Sequence, residues 1–158
     1  MRIELDPSEI KLLTAIGKMR QAETSKYAKD MAQDSAQSSV EISVLGVFGE
    51  YAAAKALNLF FDVNTAYRNF GPDLVSRKGN KIDVKSTKRK GGNLNAVHWS
   101  KNKPTDIYVL TEVCLPFVNV VGWIHRDTFL VDENLVHRDD RAPYYSVPQS
   151  ALSPINGA

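Results

Sequence analysis

The stretch from Pro72 to Ser86 constrains this chain more than any other. It reads Pro72-Asp73-Leu74-Val75-Ser76-Arg77, then Lys78-Gly79-Asn80, then Lys81-Ile82-Asp83-Val84-Lys85-Ser86. Two short runs containing β-branched residues flank a Gly-Asn turn, which predicts a β-hairpin. Side chains alternate faces along a strand, so Asp83 and Lys85 share one face while Ile82 and Val84 turn into a core. A three-residue loop over Lys78-Gly79-Asn80 pairs Arg77 with Lys81, Val75 with Asp83 and Asp73 with Lys85. Asp73, Asp83 and Lys85 then stand on one face, whereas a slip of one residue sends Asp73 to the other. Two carboxylates converging beside a lysine repel each other unless something offsets the charge. A divalent cation such as Mg²⁺, which prefers oxygen ligands, does so.

Upstream, Ser38 with Glu41 forms a capping-box pattern, and a helix is predicted from about Ser39 to Leu57. Its apolar residues Val44, Leu45, Val47, Phe48, Ala52, Ala56 and Leu57 are too broadly spread for an exposed helix. Gly46 and Gly49 lie three apart and can form a notch for a close backbone approach. Glu50 follows this notch, in apolar company where an acid is costly unless paired or metal-bound. A metal role competes with a solvent-facing position or a pairing with a lysine such as Lys85.

Pro72-Asp73, nine further residues, then Asp83-Val84-Lys85 resembles the PD-(D/E)XK motif of the restriction-endonuclease-like nuclease superfamily. Gly46-Val47-Phe48-Gly49-Glu50 is similar to part of the first core helix of many members, whose glutamate reaches the metal site. The resemblance covers roughly residues 40–124. It implies an α/β fold, a three-layer α/β/α arrangement with a mixed central sheet. It also implies a Mg²⁺- or Mn²⁺-dependent nuclease that hydrolyses phosphodiester bonds in DNA. Asp73, Asp83 and Glu50 would hold the metal, with the backbone carbonyl of Val84 as a further ligand. Lys85 would assist the attacking water, its pKa lowered by the metal and by partial burial. Two readings stand beside this one. The chain could be a catalytically inactive nucleic-acid-binding module of the same fold, or its hairpin could be a salt-bridged surface with Asp83 paired to Lys81 or Arg77. Among nucleases, a Holliday-junction-resolvase type is open, and a homodimer would favour its paired cuts. By analogy alone, a short chain of this kind suits phage or mobile-element DNA repair or recombination.

Charge distribution supports a polyanion partner. Between Arg77 and Lys103 nine basic residues face the single acid Asp83, a net +8, while the chain as a whole carries +2. The remainder is therefore −6, an asymmetry that suggests a polyanion partner for one surface, with a solvated lysine-rich edge as the other reading. Lys88-Arg89-Lys90-Gly91-Gly92, just past the second strand, is expected to contact phosphates. Lys101 lies in the same window. Leu94 to Ser100 is read as a short helix carrying His98 and Trp99, where Trp99 either stacks on a base or packs on the sheet.

The rest of the chain frames this core. Asp6-Pro7-Ser8-Glu9 starts a first helix whose apolar stripe is Ile10, Leu13, Ile16 and then Met19 or the stem of Arg20. Gln21 to Gln37 continues as helix or as helix and loop. Leu59 to Val63 is read as a short buried strand, and Asn64 to Gly71 as a loop leading into Asp73. Asp106 to Val113 and Phe117 to Ile124 are read as antiparallel strands about a turn at Pro116, and a helix is expected to begin after His125. Arg138 to Pro148 is assigned a final edge strand, and Pro148 to Ile155 closes on the body. At 158 residues a single domain is expected. Within it, the core spans about 40–124, preceded by a helical segment at 6–37 and followed by an extension at 125–158. The lone Cys114 permits no intramolecular disulfide and reads as a core residue. With no signal-peptide pattern and no apolar run of membrane-spanning length, a cytoplasmic protein without membrane contact is expected.

Overall fold

The structure is a computed structural model and describes residues 1–27, 38–68 and 71–155. After strand β1 (Arg2–Glu4) come helices α1 (Pro7–Tyr27) and α2 (Ser39–Leu57). Both begin as their sequences dictate. The Asp6 carboxylate accepts from the backbone N–H of Ser8 and Glu9 while Glu9 reaches back to Asp6, and Ser38 and Glu41 form the same reciprocal box on α2. Helix α2 ends at Asn58, a left-handed C-cap with φ 50°. The hairpin of β2 (Leu74–Val75) and β3 (Lys81–Thr87) follows, then β4 (Leu94–Val97). Next come β5 (Ile107–Cys114), β6 (Phe117–His125), the single-turn α3 (Arg126–Phe129), β7 (Leu135–Arg138) and β8 (Arg141–Val147).

Five strands form a mixed sheet in the order β1-β6-β5-β3-β2, in which only β3 and β5 run parallel. One face carries Ile82, Val84, Val109, Val113, Val118 and Val120, packed against Leu13 and Ile16 of α1 and Leu45, Val47, Phe48 and Ala52 of α2. The other face carries Tyr108, Leu110 and Ile124. It is covered by Leu94, Ala96, Tyr145 and Val147 of a second sheet, ordered β4-β8-β7, and by Phe129 of α3. Helices therefore cover one face of the mixed sheet, and strands with one short helix cover the other. In β6 a register shift opposite Leu110 and Thr111 lets Val118 and Val120 point to the helices while Ile124 points away.

Two glycines set how closely the helices approach. A Cβ on Gly17 would lie 2.7 Å from the Val44 Cα, so the α1–α2 contact needs glycine there. A Cβ on Gly49 would lie 2.0 Å from Ser86 Oγ and 2.3 Å from Thr111 Oγ1, two hydroxyls that hydrogen-bond to each other at 2.9 Å. The notch expected at Gly46 and Gly49 is thus at Gly49 alone, and side chains of β3 and β5 fill it rather than a backbone. Gly46 meets only its own neighbour Glu50, 4.0 Å away.

Several local readings change. Leu59–Val63 is not a strand: Phe60 is 81% exposed, so the run turns an aromatic out to solvent. Leu94–Val97 is a strand rather than a helix, with Leu94 and Ala96 buried and Asn95 exposed, and a 3₁₀ turn, His98–Asn102, follows it. Strand β8 lies between β4 and β7 rather than at an edge. Cys114 ends β5 facing outward and is exposed. Helix α1 continues the Gln21 segment to Tyr27, and the remainder of that segment, with Asn69 and Phe70, lies outside the described residues.

Candidate active site

The hairpin register places the acids. Leu74 pairs with Ile82 and Val75 with Lys81, so the connection runs from Ser76 to Asn80 and is longer than three residues. Ser76 accounts for it: its Oγ accepts from the Asn80 N–H at 3.0 Å, and its carbonyl accepts from the Gly79 N–H. Gly79 takes the positive φ of 84° that the turn requires. The register differs from the expected one by two residues, an even slip, so face parity survives. Continued one residue outward, it sets Asp73 across from Asp83 rather than Lys85.

Strand β2 contributes only two residues to the ladder, and Val84 lies beyond its end. The Val84 N–H donates instead to Asp73 Oδ2 at 2.7 Å, which turns that carboxylate against the middle of β3. Asp83 is 5% exposed. Its Oδ1 is in contact with Lys85 Nζ, and its Oδ2 lies 3.6 Å from Lys103 Nζ. Glu50, from α2, pairs with Arg20 of α1 at 2.7 Å, and both side chains are largely buried. Arg20 also donates to the carbonyls of Asp62 at 2.5 Å and Asn64 at 3.2 Å, fixing the loop that precedes Asp73. Arg68, on the same loop, pairs with Asp62 at 2.9 Å.

These acids share one electrostatic environment. Burial pushes the Asp73 carboxyl well above the usual carboxylate range, and the charges of Glu50 and Asp83 push the same way, against Lys85 and the Val84 N–H. Burial likewise raises Glu50, opposed by Arg20 and Arg68 and reinforced by Asp83. Burial alone would lower Lys85, but Asp83 and Asp73 outweigh it, so its ammonium is held above its ordinary pKa. That reverses the expected direction for Lys85. Beneath Asp83, on β5, Tyr108 is fully buried, and neither its hydroxyl nor that of Ser100 makes a well-formed hydrogen bond. The hydroxyls of Ser100 and Thr105 still lie close enough to act on the phenol, whose pKa is raised by burial and by Asp83.

The donor chemistry fits a hard divalent cation: three carboxylates, of which Asp73 carries the cost of the other two. Their arrangement is that of ion pairs. Among the described residues no three His, Cys, Asp or Glu side chains form a group able to hold a metal. Glu50 is turned onto Arg20, Asp73 onto the Val84 N–H, and Asp83 onto two lysines.

Among the described residues, none of the expected nucleic-acid contacts is paired with Glu50, Asp73 or Asp83. Lys88, Arg89 and Lys90 are exposed, and the charge of Lys88 reaches Glu41 at the start of α2. Glu41 is nine residues from Glu50, about 13 Å along the helix axis. The Gly91 N–H anchors this loop on Glu112 at 2.6 Å. Lys101 is exposed and lies 3.3 Å from Asp132. Trp99 is half-buried, edge-to-face against the exposed His98 at 5.0 Å. An apolar groove of about 390 Å³, lined by Leu57, Leu59, Ile107, Trp123 and Ile155 among others, contains none of the acids.

Sequence reasoning missed Arg20 as the partner of Glu50 and Lys103 as a partner of Asp83. Arg20 had a signal: it continues the spacing of Leu13 and Ile16, and an arginine on a buried stripe calls for a buried acid. Lys103 had none beyond its place in the basic window. The chain matches no protein-family model and no curated relative, and among the described residues no helix is long and apolar enough to cross a membrane.

Proposed function

We propose that this chain is a metal-dependent nuclease that hydrolyses phosphodiester bonds in DNA, and that α2, the hairpin and β5 correspond to a restriction-endonuclease-like core. The observation that carries the reading is the placing of Asp73 and Asp83 against one strand beside Lys85, with Glu50 close enough that its charge adds to the raised pKa of Asp73. Functional sites commonly keep such unfavourable clusters at the expense of stability.

A divalent cation would have to draw Asp73, Asp83 and Glu50 off their present partners; held by them and, as the resemblance implies, by the Val84 carbonyl, it would activate a water and neutralise charge on the phosphate. The chain's own residues supply the rest. Lys85 keeps its proton at Nζ and can donate to the attacking water or to a non-bridging phosphate oxygen. Arg20 fixes the Glu50 carboxylate and the loop at Asp62 and Asn64, so that side of the site is set before substrate arrives. Tyr108, the neighbour of Asp83 across β3 and β5, is held by packing against the β4-β8-β7 sheet. Lys88, Arg89 and Lys90 meet the backbone away from the scissile bond.

The test incubates purified protein with supercoiled plasmid and with single-stranded DNA, in Mg²⁺, Mn²⁺ or EDTA. Metal-dependent cleavage supports the nuclease. A gel shift without cleavage indicates an inactive binding module, and neither effect leaves a structural ion-pair cluster.

A further inference from the structure

Asp83 presents one buried carboxylate to two ammonium groups. Lys85 is in close contact with Oδ1 from the same strand, two residues away. Lys103 approaches Oδ2 from the segment after the 3₁₀ turn and stops at 3.6 Å, beyond the 2.7–2.9 Å of a charge-assisted hydrogen bond. One carboxylate cannot neutralise both, and the longer contact is the looser one. Lys103 is nonetheless not a drifting surface lysine. Its backbone N–H donates to the Ser100 carbonyl at 3.1 Å, and its carbonyl accepts from the Thr105 N–H at 2.9 Å. The turn beneath it is braced where Arg126 donates to the Lys101 carbonyl at 2.6 Å. Ser100 and Thr105, on either side, are buried. The lysine stem thus leaves a fixed point, and its side chain keeps 29% of its surface in solvent.

We propose that Lys103 is a substrate-binding residue of this site, resting on Asp83 in the absence of ligand and moving to a non-bridging oxygen of a DNA backbone phosphate when the site is engaged. The proposal rests on the nuclease reading. It assigns the two lysines different work: Lys85 stays with Asp83 and the reacting water, and Lys103 holds the substrate backbone. A flexible ammonium with three donors suits a phosphate oxygen as well as a carboxylate.

The test compares the parent with Lys103→Ala and Lys103→Arg. Binding of a short duplex oligonucleotide is measured against salt in Ca²⁺ buffer, steady-state cleavage in Mg²⁺, and Mn²⁺ binding by calorimetry without DNA. Losing one phosphate contact should lower the magnitude of the log K against log[salt] slope by about 0.9 for Lys103→Ala. KM should rise about tenfold with kcat little changed, as expected for loss of one charged hydrogen bond to substrate. Lys103→Arg should restore both. Mn²⁺ should bind Lys103→Ala more tightly, because a competing cation has left Asp83. Circular dichroism melts show that each variant is folded. Should Lys103→Ala prove unstable, Lys103→Met, which keeps the stem, is read in its place. A parent that cleaves while Lys103→Ala or Lys103→Met keeps its salt slope, KM and Mn²⁺ affinity would overturn this proposal alone. A parent that neither cleaves nor binds DNA would overturn both it and the nuclease reading.

Discussion

Replacing Arg20 with alanine probes the site's hidden counterion. In the parent, the Arg20 and Glu50 side chains are 14% and 13% exposed and 2.7 Å apart. Removing one partner of a buried pair leaves the other charge uncompensated, which costs about 3–5 kcal/mol. The lost bonds to the Asp62 and Asn64 carbonyls add about 1 kcal/mol each, less whatever water restores. At about 2–4 °C per kcal/mol for a chain of this size, the pair alone predicts a fall in Tm of about 6–20 °C. The loss should depend on pH. Arg20 acts to lower the Glu50 pKa, so without it Glu50 rises further above its value in the unfolded chain. A carboxyl raised in the folded state favours folding at low pH, and that contribution is lost as pH rises through the folded pKa. The gap between Arg20→Ala and parent is therefore widest near pH 8 and narrows toward pH 5. Thermal melts in EDTA across that range measure it. Mn²⁺ should then stabilise Arg20→Ala more than the parent, since the cation takes the place of the guanidinium. Arg20→Met combined with Glu50→Leu should recover most of the loss, because both charges leave together. A Tm within about 1 °C of the parent at pH 8 would refute the buried pairing.

Gly49→Ala should destabilise by about 1–3 kcal/mol or more, because its Cβ would overlap the Ser86 and Thr111 hydroxyls; urea melts read the shift, and parental stability would mean that α2 sits higher over the sheet. Asp73→Asn keeps an acceptor for the Val84 N–H but removes a charge whose folded pKa lies well above 3.8. Folded Asp73 binds its proton more readily than unfolded Asp73, so its contribution favours folding below about pH 4 and is lost as pH rises through its folded value. In EDTA the variant should melt above the parent at pH 8 and converge with it near pH 4; a variant melting below the parent at pH 8 would contradict this. Replacing Lys88, Arg89 and Lys90 together with alanine should reduce the salt slope of DNA binding by roughly 2 to 3, and an unchanged slope places the DNA elsewhere.

The parts of the fold legible in the sequence are those fixed by local chemistry. Ser38 and Glu41 mark the start of α2 because a capping box is a property of four consecutive residues. Strands β5 and β6 stand out because their apolar runs flank a proline turn. The readings that failed depend on partners distant in sequence. The hairpin register turned on a Ser76 hydroxyl that lengthens the loop, yet alternation of faces kept Asp73, Asp83 and Lys85 in the right relation. Leu94-Asn95-Ala96-Val97 carries a strand's alternation, but it is too short to outweigh the following His98-Trp99 until β8 pairs with it. Cys114 sits at the outward end of β5, where apolar character no longer implies burial. At the site, the acids and Lys85 were visible because they lie within one hairpin and one helix. Arg20 and Lys103 reach it from the first helix and from the turn before β5, and only the folded arrangement brings them there.

In the proposed mechanism Asp83 holds metal while Lys85 acts on the water and the phosphate. This division of roles is tested most directly by Mn²⁺ calorimetry and plasmid cleavage on Asp83→Ala and Lys85→Ala, side by side with the parent. Both variants should lose cleavage. Asp83→Ala should also lose Mn²⁺ affinity, whereas Lys85→Ala should keep it or bind more tightly, because a positive charge has left the carboxylates. If both variants still cut DNA and bind Mn²⁺ as the parent does, the cluster at Asp83 is a structural ion pair and the nuclease reading of this hairpin fails.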